Sequence, residues 1–378
     1  MKKKKIRIYD LKFDAQYRKK YQTGLKKIFD QGFLANHTFV KKFEKKFSNF
    51  TNSKFSLGTQ SGTAALELIF RTINVKNKKV LIANNTFIAT AAAVKSAGGI
   101  PIPVEIDEYY YSLCPKELIK KIKKNKNLGA VVIVHIGGIV SPNIHKIVEI
   151  CKAYKLALVE DCAQAFGSKI LDKHVGNFGI AGAFSLQTTK VLTAGEGGVA
   201  ITNNNKFYQK MIRNRVFGIS LKNKLVHDLN GSNMKMSEFV ALAAICDLDR
   251  VKKRIEKRKL LAERYQRNLE NTCWKTIKPP ENTTTAYYKQ IVISKVKRKI
   301  IINEFKKNNI MMTGGVYYYP LNRQKNLKII NDNKFLNSTF FAEHHFCPPC
   351  YPELSLKDID YICSVLKNIK VENFILPK

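Results

Sequence analysis

The 378 residues are 45% hydrophobic and 10% aromatic, enough for a sizeable core divided between two domains, which excludes a disordered chain. No apolar run is long enough to cross a bilayer, and Met1 leads into Lys2 to Lys5 rather than a signal peptide's apolar segment, so a cytoplasmic protein with no membrane span is expected. The 66 Lys and Arg against 29 Asp and Glu give a formal charge of +37, but the lysines are dispersed along the whole chain, as a coding bias acting on solvated faces scatters them, and no specific nucleic-acid partner is expected.

Residues 12 to 50 carry helical spacing, with Phe39, Phe43, Phe47 and Phe50 recurring every three or four positions. Lys54 to Leu57 reads as a strand running into Gly58-Thr59-Gln60-Ser61-Gly62-Thr63-Ala64, a small-residue loop that opens a helix. The unpaired N–H groups and partial positive charge of such a helix start suit a phosphate, although Ser and Thr there also serve as plain N-caps. Further strands are predicted at Lys79 to Ala83, Ile100 to Glu105, Ala130 to Val134, Leu156 to Asp161 and Ile180 to Leu186, with a basic amphipathic helix over 115 to 127 and another helix from Ile144 to Tyr154. Continuous apolar runs such as Ala130 to Val134 suit a parallel sheet buried on both faces. The alternation over 54 to 202 predicts an α/β domain with its site at the carboxyl ends of the strands, where Thr63, Phe87, Asp161 and Ser185 converge.

Ser185 is followed by a lone lysine, Lys190, and then by the glycine-rich turn Ala194-Gly195-Glu196-Gly197-Gly198. An amine at the end of a buried strand becomes reactive toward a carbonyl when its surroundings strip water from it. Asp161, closing an apolar strand, needs a partner: a metal, a helix start, or a cation that a ligand brings. No second metal ligand lies close by in the sequence, so no metal site is expected. His135, in His135-Ile136-Gly137-Gly138, reads as a hydrogen-bonded core histidine. Cys347-Pro348-Pro349-Cys350 is a C-x-x-C without a second pair or paired histidines, and it reads as a turn.

From residue 205 the pattern changes. A helix over Phe207 to Val216 contains Arg213 and Arg215, residues 219 to 233 form an exposed loop, and one long helix runs from Ser237 to about Leu269. A strand (Tyr287 to Ser294), a helix (Lys299 to Asn308), a strand (Gly315 to Tyr319) and a closing helix (Leu356 to Lys367, capped by Ser355) follow. The boundary falls between a large domain, 1–248, and a small C-terminal α+β domain, 249–378.

The stretches S-G-T-A-A-L (61–66), N-T-F-I-A-T (85–90), V-E-D-C-A-Q-A-F-G (159–167) and F-S-L-Q-T-T-K-V-L-T-A-G-E-G-G (184–198) closely resemble the pyridoxal-phosphate sugar aminotransferases of the DegT/DnrJ/EryC1/StrS type. Phe43-Glu44, Ile212-Arg213 through Phe217-Gly218, Ser232 to Glu238, Tyr318-Tyr319-Pro320-Leu321 and Pro349 to Leu354 extend the resemblance over nearly the whole chain. It implies a fold-type I, aspartate-aminotransferase-like large domain with a mainly parallel sheet, and a homodimer with shared active sites. It further implies that Lys190 holds pyridoxal 5'-phosphate covalently, Asp161 pairs with its pyridine nitrogen, Gln164 lies near its ring hydroxyl and Phe87 stacks on the ring. Thr63, Ala64 and Ser185 would bind the phosphate together with Asn233 of the partner subunit.

The implied reaction takes an amino group from L-glutamate, passes through pyridoxamine 5'-phosphate, and delivers it to a keto-sugar, nucleotide-linked, for amino-sugar biosynthesis. A keto-cyclitol or free keto-sugar acid is the alternative acceptor. A non-catalytic regulatory or nucleic-acid-binding protein on the same scaffold is the alternative from another class. A relative that dehydrates a deoxysugar carries His where this chain has Lys190, which argues against that chemistry. The departures from the family pattern are Gln187, Lys235 and Asn322, and with Tyr319 they lie toward the substrate.

Overall fold

The computed structural model describes residues 5–312, 315–327 and 335–369. The helical spacing near the start becomes two helices, α1 (Ala15–Gln31) and α2 (Thr38–Thr51). Gly32 separates them: it takes a left-handed φ of 69° and turns its N–H back onto the carbonyls of Ile28 and Phe29.

Strands and helices then alternate: β1 (Phe55–Thr59), α3 (Gly62–Ile73), β2 (Lys79–Ala83), α4 (Ile88–Ser96), β3 (Ile100–Val104), α5 (Pro115–Lys124), β4 (Leu128–Val134), α6 (Ile144–Ala153) and β5 (Ala157–Asp161). A short hairpin of β6 (Lys169–Ile170) and β7 (Lys173–His174) precedes β8 (Ala181–Ser185), β9 (Gly198–Thr202) and α7 (Asn205–Asn214). The seven-stranded sheet has the order β1-β9-β8-β5-β4-β2-β3. Strands β3, β2, β4, β5 and β8 are parallel, while β9 runs back antiparallel between β8 and β1. The pleat sends alternate side chains to opposite faces. Val131 and Ile133 of β4 join the cluster that packs against α2, α5 and α6, and Ala130 and Val132 join the one under α3 and α4.

The single helix expected from Ser237 to Leu269 is two, α8 (Glu238–Leu248) and α9 (Val251–Leu269). Asp247 dictates the break. Its fully buried carboxylate accepts from Thr193 N at 2.8 Å, Arg250 Nε at 2.8 Å and Arg254 Nη1 at 2.9 Å, which ties the helix junction to the loop after Lys190.

The remaining elements are β10 (Lys275–Thr276), β11 (Thr283–Thr284), β12 (Val292–Ile293), α10 (Arg298–Lys307), α11 (Leu336–His344), β13 (His345–Phe346) and α12 (Leu356–Lys367). They close on a separate cluster with Tyr265, Trp274, Phe305, Phe346 and Ile362. The strand expected over Tyr287 to Ser294 shortens to β12, because Ala286 and Lys289 bond instead to Ser168 Oγ and the Gly137 carbonyl of the larger sheet's turns. The strand expected over Gly315 to Tyr319 does not form. Val316 N–H goes to His345 Nε2 at 2.9 Å, and a Cβ on Gly315 would stand 2.1 Å from that nitrogen. Ser355 caps α12 as expected, in a reciprocal pair with Asp358. No helix among the described residues is long and apolar enough to cross a membrane.

Replacing Asp247 with Ala leaves the buried Arg254 guanidinium uncompensated and is expected to cost about 3 kcal/mol, read as a lowered midpoint in urea unfolding.

Candidate active site at the carboxyl ends of the strands

Strand β1 ends at the N-cap of α3, where Ser61 Oγ accepts from Ala64 N at 3.0 Å. Two close approaches fold Ser185 onto this helix start. A Cβ on Gly62 would stand 2.8 Å from Ser185 Cβ, and one on Gly198 would stand 2.2 Å from the Ser61 carbonyl, so only glycine fits at either position. Thr63, Ala64 and Ser185 are thereby gathered around the positive end of α3.

Asp161, at the tip of β5, is 6% exposed. Its Oδ2 accepts from Thr90 Oγ1 at 2.7 Å and its Oδ1 from Ala163 N at 3.1 Å. Burial raises its carboxyl above the usual carboxylate range, against the pull of those two donors and of the more distant Lys190 and His135. Gln164 is clamped between two partners: its Oε1 accepts from Gly137 N at 2.7 Å, and its Nε2 donates to Tyr317 Oη at 2.6 Å. Phe87 leaves 59% of its surface open and lies 6.5 Å from the Tyr317 ring at an interplanar angle of 28°.

Lys190 sits on a tight loop, its N–H bonded to the Gln187 carbonyl at 2.8 Å and its Nζ 4.6 Å from the centre of the Tyr288 ring. Gln187 folds its side chain onto its own loop, with Oε1 accepting from Thr189 N and Oγ1 at 3.0 and 2.8 Å. Asn322 is clasped to the end of β2, where Asn84 Nδ2 donates to Asn322 Oδ1 and Asn322 N to Asn84 Oδ1, both at 2.9 Å. Tyr319 is 68% exposed. Lys235 pairs with Thr59 at the end of β1, and Asn233 is exposed beside Val216.

Thr90, Tyr317, Tyr288 and Asn84 escaped the sequence reading. Thr90 and Asn84 had a signal, since one closes the N-T-F-I-A-T stretch and the other precedes it. Tyr317 adjoins the Tyr318-Tyr319 pair, whereas Tyr288 carries no local mark at all.

His135, Glu160 and Cys162 bring ligand-type atoms within 4.8 Å of one another. Glu160, however, already accepts from Gly176, Phe178 and Gly179 N–H groups at 2.7, 2.6 and 2.9 Å and meets His135 Nε2 at 3.1 Å, while burial pushes the Cys162 thiol up. This cluster is a satisfied core network, as the reading of His135 expected. Burial likewise pushes Cys347 up to about 12 and raises Cys350, which leaves the C-x-x-C poor in reactive thiolate.

A mainly parallel sheet with a lysine, a buried aspartate and a glycine-tightened helix start on one rim defines the vitamin-B6-dependent aminotransferase class of fold-type I. The chain belongs to the DegT/DnrJ/EryC1/StrS aminotransferase family, whose pattern matches residues 16–367. It is 30% identical over 235 residues to GDP-perosamine synthase of Escherichia coli O157:H7, covering 62% of this chain and 64% of that one. It is 29% identical over 238 residues to the L-glutamine:2-deoxy-scyllo-inosose aminotransferase of Micromonospora echinospora, covering 60% and 56%. The match therefore spans less than two thirds of either relative. A Streptococcus pneumoniae chain solved in its PLP form superposes with a TM-score of 0.86 at 21% identity, covering 97% of this chain and 100% of that one.

Pyridoxal phosphate is the family's cofactor, and the residues present suit it. The Asp161 carboxylate is buried against neutral donors and short of a cation, the α3 start offers N–H groups to a phosphate, and Lys190 carries an amine.

Because Asp161 holds its proton more tightly in the folded chain than in the unfolded one, its own contribution to apoprotein stability is fullest below the ordinary carboxylate range near 4 and is lost as pH rises through its raised folded value. Asp161→Asn is expected to remove that loss, raising apoprotein stability at neutral pH relative to the unsubstituted chain while weakening retention of pyridoxal phosphate. Thermal unfolding across pH, with and without cofactor, reads both effects.

Proposed function

We propose that this protein transfers an amino group from an amino acid, L-glutamate, to a keto-sugar carried on a nucleotide, in the synthesis of an amino sugar. The observation that carries the reading is the meeting of the Asp161 carboxylate, buried without a full positive partner, with the phosphate-ready start of α3 on the rim that also holds Lys190. Bound pyridoxal phosphate would supply an electron sink for the carbon that bears the amino group.

Asp161 then keeps the ring nitrogen protonated, because a buried carboxylate favours a cation beside it. Gln164 would lie near the ring hydroxyl, Phe87 would offer a flat surface to the ring, and Thr63, Ala64 and Ser185 would receive the phosphate. Lys190 would hold the cofactor through Nζ and would move a proton at that same atom. Asn233 of the partner subunit completes the phosphate site. A homodimer is supported by Phe29 in the last turn of α1 and Phe33 and Leu34 just after it, which expose 62%, 56% and 53% of their surface. The large domain, 1–248, carries the cofactor site, and the small domain, 249–378, lends it Tyr288, Tyr317 and Asn322.

On the substrate side, Lys235, Tyr319 and Asn322 face the acceptor, while Gln187 acts through Thr189. The Micromonospora relative's name favours a second acceptor class, a keto-cyclitol, with L-glutamine as donor.

Lys190→Ala is expected to lose covalent capture of pyridoxal phosphate, its absorption band at the visible edge, and all amino transfer. The acceptor is read by loading the protein with pyridoxamine phosphate and offering nucleotide-linked keto-sugars, free keto-sugars and keto-cyclitols. Recovery of the band is expected with a nucleotide-linked keto-sugar, and recovery only with a cyclitol reassigns the substrate.

A further inference from the structure

Tyr288 lies on the segment that leads into β12, is 8% exposed, and presents its ring face to Lys190 Nζ at 4.6 Å. Its hydroxyl is 3.0 Å from Thr189 Oγ1, which is 2.8 Å from Gln187 Oε1. Thr189 also fastens Gln187 through its backbone N–H at 3.0 Å.

A threonine hydroxyl has one hydrogen and two lone pairs. When Tyr288 is protonated, its O–H donates to Thr189 Oγ1 and Thr189 donates onward to Gln187 Oε1. When Tyr288 is ionised, Thr189 swings its hydrogen to the phenolate oxygen, and Gln187 keeps the backbone N–H. Both states are fully bonded, and only one hydroxyl hydrogen moves between them.

The charges around the ring favour access to both states. Lys190 faces it from the loop, Lys289 Nζ stands 5.3 Å from its centre, and Arg258 of α9 bonds the Tyr288 carbonyl at 3.3 Å. Burial pushes the phenol up, but Lys190, Lys289 and the Thr189 hydrogen bond outweigh it and bring Tyr288 below the ordinary tyrosine range. Tyr317, the buried phenol beside Asp161, goes the opposite way, held neutral first by burial and then by that carboxylate.

We propose that Tyr288 is the proton partner of Lys190, taking a proton from the lysine ammonium when the amine must act as a base and returning it afterwards, with Thr189 and Gln187 accommodating either state. The transfer balances within the pair: a Lys190 N–H bond breaks, a Tyr288 O–H bond forms, and the net charge is unchanged. The inference rests on the reading of Lys190 as the group that moves a proton.

In the apoprotein, spectrophotometric titration of the tyrosines is expected to show one phenol ionising below the ordinary range. That signal should vanish in Tyr288→Phe and move to higher pH in Lys190→Met. With pyridoxal phosphate and L-glutamate, Tyr288→Phe is expected to lower kcat at least roughly tenfold, leave KM nearly unchanged and steepen the dependence of kcat on pH, since a placed proton carrier contributes about 100- to 10,000-fold. Thr189→Val, which keeps the ring, should shift the phenolate signal upward and lower kcat in the same direction. A low-pH phenolate signal that persists in Tyr288→Phe, or a folded variant with the wild-type kcat and pH profile, overturns the proposal. If circular dichroism shows that Tyr288→Phe does not fold, Thr189→Val decides by the same criterion. A wild-type protein that transfers amino groups while both variants match it sinks the proton partnership and leaves the role of Lys190 standing; a wild-type protein that never captures pyridoxal phosphate overturns both.

Discussion

A carboxylate buried against neutral donors is the constraint on which the rest of this structure turns. Strand β5 ends in two consecutive acids, and the pleat sends them to opposite faces. Glu160 finds three backbone N–H groups and an imidazole, enough to fill its oxygens, and becomes part of the core. Asp161 finds one hydroxyl and one N–H, too little to offset its desolvation. The same strand therefore holds a finished structural network on one side and an unfinished electrostatic site on the other. The unfinished side faces the rim.

The surrounding elements are arranged to keep that deficit dry and aligned. Thr86 and Thr90, one turn apart at the start of α4, hand a hydroxyl to Asp161. Gln164, three residues on, ties the turn at Gly137 to Tyr317 from the C-terminal part of the chain. Across the rim, Gly62 and Gly198 let β8, β9 and the start of α3 approach until Ser185 touches the helix. Apart from the local Thr86–Thr90 pair, these contacts join segments well separated in sequence, so the site is a property of the sheet's order rather than of any single motif.

What could be read in the sequence follows from this. Strand positions were legible because both faces of the sheet are buried and the apolar runs are continuous, as in Ala130 to Val134. The serine, aspartate and lysine lie at strand ends, where a polar residue after an apolar run is conspicuous. The C-terminal third was less legible. Its strands are two residues long, and Val316 bonds to a histidine side chain where a strand was expected. The break at Asp249-Arg250 was hidden because both flanks are good helix formers and the cause, a carboxylate serving the loop at Thr193, is a tertiary one. Thr90 and Tyr317 act on Asp161 and Gln164 through contacts that no spacing rule encodes.

Asp247 has a consequence for how such a protein fails. One carboxylate anchors both the bend between α8 and α9 and the peptide three residues beyond Lys190. Heat that loosens the bend releases the lysine loop in the same event. The lysine loop therefore cannot keep its geometry once that bend opens, and activity is lost no later than the junction between the two helices.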